Sequence, residues 1–181
     1  PDRVLPGSTT PYKPWHDATS LFDGEAAGAI GELTRDRWKA ACGQRLEAIT
    51  GLKPHWPESL EPDLRDVELA IARTYPEMPD RPAILEIEKL YETLIANAKT
   101  LIYAESQYFA SRRIAIAIGK RLQEPDGPEI VIVNPHTADG WLEPIAMDTA
   151  RAQLVAALRH LDTHKRLAIY HPETAQGNPI Y

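Results

Sequence analysis

From residue 67 onward the chain switches repeatedly between two hydrophobic periods, and that switching restricts the fold more than any other feature of the sequence. Val67–Thr74 sets Val67, Leu69 and Ile71 at alternate positions, the period of a strand. Ile84–Lys99 places Ile84, Ile87, Leu90, Tyr91, Leu94 and Ile95 on one helical face, with Lys99 in the last turn where the dipole favours a cation. Leu101–Glu105 opens the stretch LIYAESQYF as a short apolar strand before Glu105, Ser106 and Gln107 turn it polar. Ser111 is a candidate N-cap for a helix over Ser111–Gln123. A tight turn, Glu124-Pro125-Asp126-Gly127-Pro128, leads to the β-branched run Glu129–Asn134 (EIVIVN). A long helix is expected over Trp141–Leu161 and a last strand over Leu167–Tyr170. Strand, helix, strand, helix, strand, helix, strand predicts an α/β fold: a mixed, largely parallel β-sheet flanked by helices.

The earlier half is more broken. Residues 1–14 hold four prolines and read as an extended arm. Trp15–Phe22 is expected to be a short strand, Asp23-Gly24 a turn, and Glu25–Cys42 a helix stopped at Gly43. Residues 50–66 read as a proline-rich loop in which Trp56 is either a surface anchor or, the favoured reading, loop packing, and Pro76, Pro79 and Pro82 mark the next connection. All 181 residues are expected to make one α/β domain.

Charge and cysteine content remove several classes. A net charge of −6 offers no electrostatic footprint for nucleic acid or an anionic bilayer, so no nucleic-acid partner is expected, while a local basic cleft and peripheral membrane contact stay open. The single cysteine, Cys42, excludes an internal disulfide or a cysteine-rich metal site and reads as a small core residue. There is no signal peptide and no apolar run of the roughly 18 residues needed to cross a bilayer. The first residue is Pro1, which suggests a processed chain or a piece of a longer one.

No phosphate loop, dinucleotide fingerprint, G-x-S-x-G elbow or H-E-x-x-H pair is present. His160 and His164 are four apart, but they flank a helix end and make a poor metal pair; no cofactor or metal is expected. His164-Lys165-Arg166 reads as a solvated basic helix end. His16-Asp17 sets a carboxylate beside an imidazole, yet strand neighbours point to opposite faces, so Asp17 is expected to face a group elsewhere or to be structural. Glu105 and Gln107 end a buried strand, where α/β proteins bind ligands; the alternative is that they satisfy nearby backbone.

Several segments together resemble the phospholipase D superfamily. They are Pro14-Trp15-His16-Asp17 and the helix ending in Arg37-Trp38, the strand–proline–helix run to LIYAESQYF, EIVIVNP, and the closing Pro179-Ile180-Tyr181. LIYAESQYF is similar to the family's I-Y-I-E-x-Q-Y-F, with Ala104 in place of the usual isoleucine. The family's defining H-x-K-x4-D motif, present twice in its members, does not occur here. The chain therefore resembles the interval between the two motifs.

The resemblance implies a phospholipase D-like fold. It also implies a parent phosphodiesterase or transphosphatidylase working through a phosphohistidine, with a phospholipid or other phosphodiester as substrate. It gives this chain no catalytic group of its own, only supporting candidates: Asp17, Glu105 and Gln107. The 181 residues alone are expected to be inactive and the parent to be cytoplasmic or membrane-associated. The alternatives are a cardiolipin synthase-like phosphatidyltransferase and a non-catalytic binding module on the same scaffold. Oligomeric state is not legible.

Overall fold

The computed structural model describes residues 3–4, 6–51, 56–136 and 143–180, with backbone alone for 143–148. The chain divides into two compact units: Ala18–Ile71 as one, and Pro1–Asp17 with Ala72–Tyr181 as the other.

In the first unit the regular element is helix α1, Gly24–Cys42. It starts after Asp23 and ends on Gly43, whose positive φ of 74° is the left-handed conformation that closes many helices. Despite its amphipathic pattern, α1 buries none of its residues. Cys42 is exposed rather than a core residue, because it sits at the helix end, where its thiol contacts the Trp38 carbonyl. The expected strand Trp15–Phe22 is irregular, as is nearly all of Val67–Thr74, since alternation makes a strand only where a partner strand exists. Trp56 does pack within its loop, donating Nε1–H to the Leu60 carbonyl.

The second unit opens with a two-residue antiparallel pair, β1 (Thr74–Tyr75) and β2 (Ile84–Leu85). Arg73 and Glu86 clamp it: the guanidinium Nη2 and Nε donate to the two carboxylate oxygens at 2.6 and 2.9 Å, and the Arg73 amide adds a third bond. Helix α2 runs over Glu86–Asn97, shorter than Ile84–Lys99 because Ile84 and Leu85 join β2 and the backbone turns extended at Ala98, which leaves Lys99 outside the last turn. There follow β3 (Leu101–Glu105), α3 (Arg112–Gln123), β4 (Glu129–Val133), α4 (Glu143–Leu161) and β5 (Leu167–Tyr170). The sequence-predicted start of α4 at Trp141 falls outside the described residues.

The architecture is mixed α/β: four helices, a three-stranded parallel sheet in the order β3-β4-β5, and the small antiparallel pair, counted among the described residues. Leu101 pairs with Glu129 and Glu105 with Val133; Ile130 pairs with Leu167 and Val133 with Tyr170. Ile130 and Ile132 are buried on one face of β4. They meet Ile118 and Leu122 of α3 and Leu158 of α4, and Ile102, Leu167 and Ile169 join from the flanking strands. α3 packs against both α2 and α4. A Cβ at Gly119 would stand 2.8 Å from Leu161 Cδ1, so a larger residue there requires the Leu161 side chain to shift.

Two further contacts seal this core. Phe109 is buried with φ of 30°, a backbone state that costs a non-glycine residue about 1–3 kcal/mol, here offset by burying an aromatic ring. Arg166 is not the solvated cation expected from sequence. It is 8% exposed and donates Nη2–H to the carbonyls of Leu122 at 3.1 Å and of Glu124. The last carbonyls of a helix lack partners of their own, and a cation there also suits the dipole, which is why a basic side chain can be drawn inward.

Candidate functional site

The carboxyl ends of β3, β4 and β5 bring together one set of the second unit's polar groups. β3 alternates: Ile102 and Ala104 face the core, while Leu101, Tyr103 and Glu105 are exposed on the opposite face. Tyr103 and Glu105, two residues apart, therefore share a face. The Tyr103 hydroxyl donates to Glu105 Oε1 at 2.6 Å, and His16 Nε2 bonds Oε2 at 3.0 Å. Both carboxylate oxygens are thus engaged. The Tyr103 bond holds the Glu105 carboxyl below its ordinary range; partial desolvation opposes this, and the His16 bond and charge add to it. The same bond, with desolvation, pushes the Tyr103 phenol up. The pair is open to water, with 65% of the His16 and 45% of the Glu105 side chain exposed, so its strength is that of a screened surface contact.

Of the sequence-predicted site residues, Glu105 is thus tied to the Trp15-His16-Asp17 segment across 89 positions of chain. Asp17 is exposed and follows His16 directly in an irregular stretch, so no strand alternation sets its direction. Gln107 is half-buried in the turn after β3. In that turn the Ser106 hydroxyl accepts the Phe109 amide at 3.3 Å.

Sequence reasoning missed a second group. The ladder runs one residue past the strands: the Ser106 amide donates to the Val133 carbonyl at 3.0 Å, and the Asn134 amide to the Tyr170 carbonyl at 3.1 Å. Parallel neighbours in register project to the same side, so Ser106, Asn134 and His171 form a row on the helix-covered face, continuing the Ile102, Ile132 and Ile169 side of the sheet. Asn134 is 2% exposed, and its Nδ2 has no partner among the described residues. His171 donates Nδ1–H to the Asn134 carbonyl at 2.9 Å, which fixes that tautomeric proton and leaves Nε2 outside this bond. The His136 ring meets His171 edge-on, with centroids 5.1 Å apart and planes at 70°. Arg151 of α4 anchors the backbone there, donating to the carbonyls of Pro135 at 2.7 Å and of His136. A polar residue ending an apolar β run, as in EIVIVN, was the signal available; the row itself needs the register.

Among the described residues no group of three or more His, Cys, Asp or Glu side chains is arranged to hold a metal ion. No described helix is long and apolar enough to cross a membrane. A shallow concavity between α2 and α3, lined by Glu92, Arg113, Ile116, Ala117 and Lys120, includes none of the strand-end residues. No protein-family model, curated protein or solved structure matches the chain.

Proposed function

We propose that the chain supplies the segment between the two H-x-K-x4-D motifs of a phospholipase D-type phosphodiesterase. The observation that supports this is the His16–Glu105 bond at 3.0 Å. It brings together Pro14-Trp15-His16-Asp17 and LIYAESQYF, two of the stretches on which the resemblance rests, at the carboxyl edge of a parallel sheet. In this reading Glu105 accepts from His16 and Tyr103 and holds the 15–17 segment against the strand end. Asp17 then presents its carboxylate to a motif histidine, orienting the imidazole and favouring its charged form. Nucleophile, general acid and the phosphate-binding lysines come from outside these 181 residues. The chain's own part is to position, not to react.

The test compares the chain with the longer protein encoded on both sides of it, using phosphatidylcholine and a chromogenic phosphodiester. The chain alone gives no turnover, since loss of a nucleophile costs many orders of magnitude in rate. The longer protein turns over, and Asp17→Asn and Glu105→Gln each lower its kcat with the fold retained. Turnover by the chain above a heat-killed control, surviving alanine at His16 and His136, overturns the reading. Product analysis separates water from a lipid alcohol as acceptor, and so separates the hydrolase from the cardiolipin synthase-like alternative. A longer protein that binds phospholipid without turnover identifies the binding module.

A further inference from the structure

The row at the strand ends carries more donors than the fold uses. Asn134 holds a buried amide nitrogen with no partner among the described residues, although such groups are normally satisfied. His171 is held by the Asn134 carbonyl through Nδ1, which leaves Nε2 outside that bond. The Ser106 hydroxyl accepts from Phe109 but keeps its own proton to donate. His136 stands against His171. Among the described residues no carboxylate belongs to this row: Glu105, one residue before Ser106, projects to the opposite face. Behind it lies Arg151, whose guanidinium grips the loop that carries His136. α3 and α4 follow β3 and β4 in a parallel sheet, so their positive dipole ends face the same edge. With Nδ1–H committed to the Asn134 carbonyl, Nε2 accepts in the neutral ring and donates only in the doubly protonated one. A metal cation would meet Arg151 and two positive helix ends, and among the described residues the two imidazoles alone would have to hold it.

We propose that Ser106, Asn134 and His171, with His136 beside them, bind the oxygens of a phosphoryl group. The proposal rests on the phosphodiesterase reading for its substrate class and assigns the contact to residues that the resemblance did not point to. The shared chemistry is a phosphate oxyanion, whether free or in a lipid headgroup.

The test is nuclear magnetic resonance on the 181-residue chain, titrated with inorganic phosphate and with glycerophosphocholine, with sodium chloride and acetate at matched ionic strength as controls. The Asn134 side-chain amide and the His136 and His171 rings shift together along one saturable curve for a phosphate probe. The probe that does so at lower concentration identifies the source. His171→Ala, at an exposed position, weakens that binding at least tenfold, while the spectrum elsewhere stays that of the folded chain. Linear shifts, an equal response to acetate, or unchanged binding in His171→Ala overturns the proposal. If phosphate saturates the site but the longer protein has no phosphodiesterase activity, the functional reading fails and the site stands. If the longer protein is active and His171→Ala binds phosphate normally, the site fails alone.

Discussion

The two edges of the same three-stranded sheet are built on opposite terms. At the amino edge, side chains are used to close the structure. Arg121 donates to the Ala98 carbonyl at 2.6 Å, Arg166 to the carbonyls ending α3, and Asp162 accepts the amides of Arg166 and Leu167 at 2.8 and 3.0 Å. Nε and Nη1 of Arg166 are buried and find no acceptor among the described residues. A Cβ on Gly127 would lie 2.3 Å from the Arg121 carbonyl and 2.6 Å from Arg166 Nη1. At the carboxyl edge the Asn134 amide nitrogen is also buried and unpartnered among the described residues, but His171 beside it is exposed. The same kind of strand end is sealed where orphan helix carbonyls must be satisfied and left open where helix N-termini point.

Substitutions should separate the two edges by what they change. The largest loss is expected from Arg166→Ala, which removes the donor to carbonyls at the end of α3; urea denaturation should show about 2–4 kcal/mol of destabilisation. Gly127→Ala should cost about 1–3 kcal/mol by the same measurement, because the added methyl group meets backbone rather than a flexible tip. Ser111→Ala, which removes the α3 N-cap bond to the Ile114 amide, should cost about 1 kcal/mol. His171→Ala should change stability by less than about 0.5 kcal/mol, as an exposed side chain does. Losses from His171→Ala as large as those from Arg166→Ala would erase the contrast.

The smallest expected effect is in titration. The Glu105 carboxyl is depressed, so its contacts stabilise the fold above the ordinary carboxylate range and are lost as pH falls through its lowered pKa. The Tyr103 phenol is raised, so its contribution is present below the ordinary tyrosine range and fades as pH rises through its own pKa. Ultraviolet difference titration against Tyr103→Phe should place that phenol above 10.0, and Glu105→Gln should bring it back down.

Much of the sheet was legible because LIYAE, EIVIV and LAIY are short, apolar and bounded by turn residues, and each is a strand where it was expected. Val67–Thr74 carried the same alternation and failed, since periodicity says which face would be buried but not whether a partner strand lies alongside. Arg166 was misread because a basic tripeptide after a helix is ordinarily solvated; only the approach of the α3 carboxyl end draws it inward. Glu105 was marked by its place at a strand end. The Asn134–His171 row was not, because 37 residues separate its members and only the pairing of β4 with β5 aligns them.

The order β3-β4-β5 repeats the order of the chain, and this bears on assembly during synthesis. Each new strand is added at the open edge left by the one before, after its connecting helix has been made. No strand has to insert between two that are already paired. The central strand β4 can dock on β3 before β5 has left the ribosome, burying Ile130 and Ile132 against α3 while the chain is still growing. The last partner to arrive, β5, brings Arg166 and His171 together. One strand-docking event thus closes the amino edge and completes the open one.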